Sequence, residues 1–446
     1  MKVVVIGGGV AGMTTAYRLM QGGHEVALYE ASDHLGGLVR TFEVGGNRLE
    51  AYYHHIFRTD TTIIDLINEL GFGDRLHWIE SKVGWYEDGN IYPFVTPLDL
   101  LRFKPLPLVD RVKLGLMGVR LRGKEDWAEF EHITCEDWIK RNVSEKVWEK
   151  VWGPLLIGKY GSAYNQVAMA WLWSKIHLRF QSRKGGPMQK EELGYLQGSF
   201  AVYIDELERR MRTGGVQIRL NAGVERITAE DNRATGITLV DGTHVAADAV
   251  VAAVPSLLFK KMAPPLGDDY ARKLDYVGWQ GAVCMVVTMK RSLSPIYWMN
   301  IGDRSMPFLA LVEHTNFIPP EQYGGNHILY ISNYLPQDHE FFRMDELQLW
   351  NVFEPALKKI NPQFSSDWVN QRWLFKAPYA QPIISLDYSA HKPDHRTPIA
   401  GLYLETMTQI YPEDRGQNYS IKMGDEVARM VVEDHAARGA HPTAAA

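Results

Sequence analysis

An α/β fold that opens with a parallel sheet is predicted by the first thirty residues of this 446-residue chain. Residues 2–6 form an apolar run that leads into a GxGxxG turn at Gly7, Gly9 and Gly12. A helical stretch follows the turn, and residues 25–29 form a second apolar run. A strand, a glycine turn, a helix and a second strand in this order are typical of a dinucleotide-binding βαβ unit.

Each residue of this turn has a physical reason for its type. Gly7 allows the tight turn, Gly9 lets the backbone approach a pyrophosphate, and Gly12 lets the helix pack close to the strand. Val10 and Ala11 begin the helix, whose unpaired N–H groups and dipole favour a phosphate. An ordinary glycine-rich turn that binds no nucleotide is the alternative, and the flanking strands disfavour it.

The residues after the second strand identify the nucleotide. Glu30 follows the glycine motif at about the spacing of the acid that holds a ribose diol. Residues 31–41 then contain Gly36, Gly37 and Arg40, and this stretch resembles the FAD-dependent amine oxidase, protoporphyrinogen oxidase and phytoene desaturase superfamily. The resemblance implies FAD as the cofactor, with the glycine pair and the arginine along its pyrophosphate and ribityl chain. An arginine suits that place because it is a permanently charged, planar set of donors.

The middle of the chain continues the resemblance. Apolar runs and an Asp-Gly turn predict a strand over residues 216–220, a hairpin over residues 235–247 and a buried strand over residues 248–255. In the superfamily this block completes the FAD domain, which implies that the backbone at Val224 touches adenine. The block contains no second GxGxxG motif, so we expect no separate nicotinamide domain.

The last part of the chain resembles the C-terminal flavin motif of the superfamily. In that motif a strand, here residues 401–407, leads to a helix whose amino terminus faces the N1–C2=O2 edge of the flavin. The resemblance implies that Asn418 and Tyr419 bind the cofactor. A helix dipole at this edge stabilises the reduced, anionic flavin.

This flavin motif departs from the superfamily at one place. The Gly-Asp pair that usually follows the strand is replaced by Thr406 and Met407. Glu405 is out of register with the missing acid. We therefore expect no acidic side chain on the flavin here, and a flavin-binding protein without catalysis stays open as one interpretation of the chain.

The predicted fold is a glutathione-reductase-like, Rossmann-type FAD-binding domain with an inserted mixed α+β substrate domain. Because the flavin motifs lie far apart in the sequence, the FAD-binding domain must be discontinuous. The segments expected for it are residues 1–75, 195–270 and 395–436. The segments expected for the substrate domain are residues 76–194 and 271–394, with residues 437–446 as a flexible tail.

A short segment resembles a second family of flavoenzymes. Residues 51–60 include His54, His55, Ile56 and Phe57, which resemble the His-Ile-Phe segment of UDP-galactopyranose mutase, an enzyme with no net redox change. The resemblance implies that His55 lies beside the isoalloxazine, where a neutral imidazole can hydrogen-bond the flavin or move a proton. His55 is therefore the catalytic candidate, and a structural histidine is the alternative. Adjacent histidines face opposite ways on a strand, so we expect no metal site.

Composition agrees with a large enzyme that acts on a small molecule. The chain is 46% hydrophobic and 23% charged, which is enough to bury the cores of two domains. Its net charge of −5 gives no reason to expect nucleic acid as a partner. Cys135 and Cys284 are too few for a disulfide framework and favour a reducing cytoplasm. We expect no signal peptide and no membrane span, and composition leaves the oligomeric state open.

Residues 102–124 are unusually basic. Seven Lys or Arg side chains stand against one acid, Asp110, and apolar residues lie between them. The segment is predicted to be an amphipathic helix that contacts an anionic membrane surface peripherally or holds a diphosphate-bearing substrate. A solvated basic face over an apolar stripe is the alternative.

These motifs lead to one preferred function and two alternatives. The preferred function is an FAD-dependent oxidoreductase that transfers hydride from an organic, lipophilic substrate to flavin N5. The first alternative is a mutase-like flavoenzyme that acts on a nucleotide sugar, with Arg179 and Arg183 as candidates for holding the diphosphate. The second alternative is a non-catalytic flavin-binding protein. The redox function is preferred because residues 152–161 and 194–200 extend the resemblance to protoporphyrinogen-oxidase-like proteins over most of the chain.

Overall fold

The structure is a computed structural model that describes residues 1–182 and 191–439. Over those residues the strands are β1 (Lys2–Ile6), β2 (Glu25–Tyr29), β3 (Thr41–Val44), β4 (Asn47–Glu50), β5 (Leu76–Glu80), β6 (Val83–Glu87), β7 (Asn90–Pro93), β8 (Glu192–Leu196), β9 (Gln217–Arg219), β10 (Val224–Glu230), β11 (Arg233–Leu239), β12 (His244–Ala246), β13 (Ala249–Ala252), β14 (Trp279–Met289), β15 (Trp298–Ile301), β16 (Ala310–Glu313), β17 (His327–Leu335), β18 (Val369–Pro382) and β19 (Leu402–Leu404).

The helices of the same described residues connect these strands and cover the sheets. They are α1 (Val10–Gln21), α2 (Thr61–Glu69), α3 (Pro97–Arg102), α4 (Leu108–Arg122), α5 (Cys135–Asn142), α6 (Glu145–Val147), α7 (Gly153–Tyr160), α8 (Met169–Gln181), α9 (Ala201–Thr213), α10 (Ser256–Met262), α11 (Asp268–Tyr276), α12 (Glu346–Ile360), α13 (Tyr388–His391) and α14 (Gln417–Gly439).

A parallel sheet of five strands organises the first part of the fold. Its order is β19-β13-β1-β2-β9, so the strand that opens the chain lies at the centre. Val3, Val4 and Val5 are fully buried because both faces of β1 are covered, which explains its continuous apolar run. The predicted α/β class and the parallel sheet are confirmed.

Two layers cover this sheet. On one face α1 packs against α14 and α9. The crossing of α1 and α14 is close, since a Cβ on Gly424 would lie 2.7 Å from the Ala11 carbonyl oxygen. On the other face the antiparallel sheet β10-β11-β12 and the helices α10 and α11 bury Ile227, Ile237 and Phe259 against the sheet.

A mixed sheet of seven strands organises the second part of the fold. Its order is β18-β14-β17-β16-β15-β6-β7, and all eleven residues of β14 are buried. Helix α12 packs on one face of this sheet through Leu349, Trp350 and Phe353. A separate helical layer forms around α4, α5, α7 and α8, with Trp138 and Leu172 in its core. The second part therefore mixes helices and antiparallel strands.

The basic segment 102–124 differs from the single helix predicted for it. Helix α3 ends at Arg102 and α4 begins at Leu108, because Pro105 and Pro107 interrupt the residues between them. Proline lacks an N–H group and disfavours helix in the residue before it. The search of the described residues for a helix long and apolar enough to cross a membrane finds none.

The predicted flexible tail begins inside a helix. Helix α14 continues to Gly439, so residues 437–439 are helical. The helix persists because its buried face, which includes Val427 and Val431, packs against the parallel-sheet core. Residues 440–446, the rest of the predicted tail, lie outside the described residues.

Candidate functional site

The glycine turn after β1 has the geometry of a nucleotide cradle. Gly7 has a φ of +101°, and a Cβ there would lie 2.4 Å from the Ala253 carbonyl oxygen. A Cβ on Gly12 would lie 2.2 Å from the carbonyl oxygen of Gly7. A Cβ on Gly9, in contrast, would meet nothing within 4 Å. The first and third glycines are thus required by the fold, whereas Gly9 leaves open space beside the start of α1, where Val10 and Ala11 lie.

The second glycine pair lies against the first turn. The Gly36 N–H donates to the Gly8 carbonyl oxygen at 2.8 Å, and a Cβ on Gly37 would lie 3.1 Å from the Gly9 Cα. Both residues of the pair have positive φ. Arg40 follows, with its guanidinium 5.3 Å from the ring centre of Phe375. The glycine turn at residues 7–12 and the pair Gly36 and Gly37 belong to separate motifs, yet their backbones lie against each other. The charged side chain of Arg40 follows the second of them.

Glu30 lies at the end of β2, beside the glycine turn. Its Oε2 accepts a hydrogen bond from the Gly8 N–H at 2.7 Å, and its Oε1 accepts one from the Ser32 N–H at 2.8 Å. The Ala222 N–H donates to the Glu30 carbonyl oxygen, which brings the segment before Val224 to the same end of the sheet. An acceptor beside an open glycine turn fits the ribose and pyrophosphate of a dinucleotide.

The amino terminus of α14 is fixed by contacts to two other helices. The Asn418 Oδ1 accepts from the Ile63 N–H at 3.1 Å, and the Tyr203 hydroxyl donates to the Gln417 Oε1 at 2.7 Å. Tyr419 is only partly buried, and that burial raises the pKa of its hydroxyl. The side-chain oxygen of Asn418 is engaged with α2, and the backbone N–H groups of the first helical turn are available to a ligand at this helix end.

Glu405 is a carboxylic acid buried inside the fold, against helix α1. Its side chain is 1% exposed and accepts a hydrogen bond from the Thr15 hydroxyl of α1. Burial raises the pKa of this carboxyl to about 8. The carboxyl therefore faces α1, in agreement with its being out of register with the missing acid of the motif.

His55 lies in a bend held against β8. The backbone of its neighbour Ile56 pairs with Gly194, and the His55 Nδ1 is 3.3 Å from the Tyr297 hydroxyl. The rings of Phe57 and Trp298 meet the imidazole edge to face. Burial lowers the pKa of His55 to about 3, so the imidazole is neutral at neutral pH.

His54 points to a different partner. Its Nδ1 is 2.6 Å from the Tyr52 carbonyl oxygen, and burial lowers its pKa to about 4. The two histidines do not share a ligand position. Across residues 1–182 and 191–439, no group of three or more His, Cys, Asp or Glu side chains is arranged to hold a metal.

A cluster of charged side chains next to this segment was missed by the sequence reasoning. Asp414 Oδ2 lies 2.9 Å from Lys159 Nζ and 2.7 Å from Lys175 Nζ, and Asp414 Oδ1 accepts from the Trp171 indole N–H at 3.0 Å. Arg415 is the next residue. We call Lys159, Lys175, Asp414 and Arg415 the basic cluster. Its members come from α7, α8 and the loop before α14, so no local pattern could reveal it.

Arg415 links the basic cluster to the mixed sheet. Its guanidinium donates to the Gln381 Oε1 at 3.1 Å and to the Tyr334 hydroxyl. The pKa of His54 is lowered first by burial and further by the charge of Arg415. Besides burial, the charge of Lys175 lowers the pKa of His55. The basic cluster therefore lies directly before the start of α14 and acts electrostatically on both histidines.

A cavity of about 400 Å³ adjoins the basic cluster. Tyr334 connects the two, since it lines the cavity and accepts a hydrogen bond from Arg415 of the basic cluster. Most of the wall is apolar, and its apolar members include Ile157, Met306, Phe308, Leu309, Leu335 and Phe341. The site thus combines the charged side chains of the basic cluster with an adjoining, mostly apolar cavity that is large enough for a small-molecule ligand.

Arg179 is not available in the way predicted for a diphosphate. Its Nε donates to the Glu191 Oε1 at 2.6 Å and its Nη2 to the Glu191 Oε2 at 3.1 Å. A guanidinium held in this two-point manner by a carboxylate is already satisfied on that edge. Arg183, the other candidate, lies outside the described residues.

Comparisons with known proteins agree with this geometry. The chain is 24% identical to the 15-cis-phytoene desaturase of Solanum lycopersicum over 436 residues, which covers 91% of this chain and 73% of that protein. The fold is similar to that of a putrescine oxidase variant, with a TM-score of 0.75, 13% identity and coverage of 97% and 98% of the two chains. It is also similar to reduced UDP-galactopyranose mutase, with a TM-score of 0.74, 16% identity and coverage of 97% and 94%.

The family comparison covers both parts of the fold. The family described as flavin containing amine oxidoreductase matches residues 10–409, which include the helix after the glycine turn and the strand β19 of the C-terminal motif but not its helix α14. The open turn at Gly9 and the acceptor at Glu30 fit the FAD that such enzymes use. This chain belongs to the flavin-containing amine oxidoreductase family and is an FAD-dependent oxidoreductase.

Proposed function

We propose that the enzyme oxidises an organic, lipophilic small molecule whose carbon gives a hydride to flavin N5. The observation that carries the proposal is the mostly apolar cavity of about 400 Å³, whose wall residue Tyr334 accepts a hydrogen bond from Arg415 of the basic cluster, beside the start of α14. FAD supplies the hydride acceptor, and the protein supplies orientation and exclusion of water. The tomato relative is named as a desaturase of phytoene, which supports a lipophilic substrate.

The proposed cofactor contacts follow the motifs. Gly7, Gly9, Gly12, Gly36 and Gly37 form the turn and the wall along the pyrophosphate. The other proposed contacts are Val10 and Ala11 at the helix start, Glu30 on the ribose, Arg40 along the diphosphate and ribityl chain, Val224 on adenine, and Asn418 and Tyr419 at the pyrimidine edge.

The proposed domain organisation is a glutathione-reductase-like FAD domain with an inserted substrate domain. The five-stranded sheet takes its strands from residues 1–75, 195–270 and 395–436, which supports assigning these segments to the FAD domain. The mixed sheet and the helical layer around α8 fall within residues 76–194 and 271–394, which supports the substrate domain.

His55 is proposed to act on the reacting atoms as a neutral imidazole. Its pKa of about 3 excludes a standing positive charge, so it can accept a proton or a hydrogen bond but cannot serve as a resident acid. The aromatic rings of Phe57, Tyr297 and Trp298 pack around the imidazole.

The surface of α3 and α4 is proposed to contact an anionic membrane, with the protein peripheral to the cytoplasmic face. Seven of the ten large apolar side chains that the described residues expose lie there, among them Leu116 and Val119. Lys113, Arg120 and Arg122 are exposed between them. Apolar contact combined with positive charge suits anionic lipid.

Lipid binding is tested by sedimentation with vesicles. The protein should sediment with vesicles that contain anionic lipid and much less with zwitterionic ones. The double substitution Leu116→Ser, Val119→Ser should weaken the binding, whereas Val240→Ser, at an apolar residue exposed elsewhere, should not. Equal binding by all variants would show that this face does not contact the membrane.

The redox proposal is tested by anaerobic mixing of the purified enzyme with amines, polyenes, porphyrinogens and polyprenyl compounds. Loss of the oxidised flavin spectrum without added reductant identifies a hydride donor. His55→Ala should retain FAD and slow that reduction by about 10²-fold if the imidazole transfers a proton. Full reduction rate in the variant would return His55 to a structural role.

A mutase-like reaction on a nucleotide sugar is the second candidate. Two observations favour it. The pKa values of His54 and His55 are lowered in part by nearby cationic side chains, and the fold is similar to that of reduced UDP-galactopyranose mutase. This candidate predicts turnover only after reduction by dithionite. It also predicts that the oxidised enzyme stays unreduced with every donor.

A further inference from the structure

The basic cluster has more basic side chains than carboxylates to neutralise them. Lys159 and Lys175 share a single oxygen of Asp414, and Arg415 has only the neutral partners Gln381 and Tyr334 among the hydrogen bonds of the described residues. The side chains of Lys159 and Asp414 are only 14% and 19% exposed. Water therefore screens this excess poorly.

The two lysines are held in place before any ligand arrives. Lys159 Nζ lies 4.7 Å and Lys175 Nζ 5.2 Å from the ring centre of Trp171, so both ammonium groups lie over one indole. The same indole donates to Asp414. A site built this way loses little conformational entropy when it binds an anion.

A buried donor beside the cluster lacks a partner. The Tyr160 hydroxyl is fully buried and makes no hydrogen bond with the residues that the structure describes. Tyr160 follows Lys159 in the chain, and the Lys159 Nζ lies 5.9 Å from the centre of the Tyr160 ring, so this side chain lies beside the cluster. A buried hydroxyl without a partner costs free energy that a bound acceptor would remove.

Ionisation in the cluster also favours an additional anion. Burial opposes the charge on Asp414, yet the charges of Lys159 and Lys175 outweigh it and hold the Asp414 pKa well below its usual range. Burial lowers the pKa of Lys159. A second anion near Nζ would raise the pKa of Lys159 again and would offset the repulsion among the three cations.

We propose that the basic cluster, with the Tyr160 hydroxyl, binds an anionic group of the substrate, a phosphate or a carboxylate, while the apolar part of the substrate fills the adjoining cavity. The substrate would thus be an amphiphilic anion whose charged group lies next to the start of α14, and its reacting carbon lies where the proposed function places the flavin. This inference deepens the proposed function and rests on it for the position of the reacting carbon.

The test uses the FAD-loaded enzyme and calorimetric titration with inorganic pyrophosphate in one arm and with glutarate in the other. Binding in the first arm assigns a phosphate, and binding in the second a carboxylate. Lys159→Met and Lys175→Met should each weaken binding by about 10-fold or more, since each removes a charged hydrogen-bond donor. Lys260→Met, which removes an exposed lysine paired with Asp275, is the matched control.

Asp414→Asn gives a result that damage to the fold cannot produce. Loss of the only carboxylate of the cluster should strengthen anion binding by several-fold, whereas the lysine substitutions weaken it. Failure of both anions to bind, or equal affinity in both lysine variants and the control, would overturn the inference. Flavin reduction by the donor panel is measured separately from anion binding. An enzyme that is reduced by a donor but binds no anion would refute only the inference about the cluster. An enzyme that binds anions but is never reduced would refute only the redox function.

Discussion

Glu30 offers the sharpest test of how the cofactor is held. Its two carboxylate oxygens accept from the N–H groups of Gly8 and Ser32 at 2.7 and 2.8 Å. The acid is thus fixed beside the glycine turn before it meets a ribose. Glu30→Ala removes a charged acceptor from the diol and leaves two backbone donors without it. A hydrogen bond to a charged group contributes about 1.5–3 kcal/mol, so FAD affinity should fall by about 10- to 100-fold.

The assay is the quenching of FAD fluorescence on titration into the apoprotein. Glu30→Gln, which keeps one acceptor but loses the charge, should fall between the wild type and Glu30→Ala. Glu25→Ala removes an exposed acid at the start of the same strand and should bind FAD like the wild type. FMN serves as a ligand control, because it lacks the adenosine ribose that Glu30 is proposed to hold.

Two results would refute this reasoning. Unchanged FAD affinity in Glu30→Ala would show that the acid does not contact the ribose. An equal loss of FMN and FAD affinity would show that the substitution disturbs the turn itself, because only FAD carries the group in question.

Three further predictions concern the stability and chemistry of the site. Gly12→Ala should destabilise the fold by about 1–3 kcal/mol and weaken FAD binding, because its Cβ would lie 2.2 Å from the Gly7 carbonyl oxygen; denaturant unfolding of the apoprotein measures this. Because Glu405 has a pKa of about 8 in the fold and about 4.5 when unfolded, the native state keeps a proton that the unfolded chain loses, so its contribution to stability should fall as pH rises from about 4.5 to 8. Glu405→Gln should flatten this part of the pH profile of Tm, and an unchanged profile would mean that Glu405 is ionised in the fold. For a donor that reduces the flavin, stopped-flow absorbance compares the reduction rates of His55→Gln and His55→Ala. If a hydrogen bond from residue 55 suffices, His55→Gln should be reduced faster than His55→Ala. If the imidazole transfers a proton, the two variants should be equally slow.

The cofactor side of the fold could be predicted because its signals are local. Gly7, Gly9 and Gly12 act within one turn, and β2 has the bounds of the apolar run before Glu30. The turn chemistry at these glycines depends on neighbours in the sequence, so a single sequence contains it. The resemblance over residues 31–41 then supplied the identity of the cofactor.

The substrate side could not be predicted because its signals are distant. Lys159 and Asp414 are 255 residues apart, and only the packing of α7 against the loop before α14 brings them together. The environment of His55 likewise depends on Tyr297, 242 residues away. The helix break in the basic segment is different, since Pro105 and Pro107 are local signals that mark it in the sequence.

The central claim is that a substrate carbon gives a hydride to the flavin of this enzyme, and an isotope effect tests it most directly. A donor found in the anaerobic panel is prepared with deuterium at the carbon that is oxidised, and the rate of flavin reduction is followed by stopped-flow absorbance. The account predicts one donor oxidised for each flavin reduced and a slower reduction with the deuterated donor. Failure of every donor to reduce the flavin, together with turnover of a nucleotide sugar only after dithionite reduction, would contradict it.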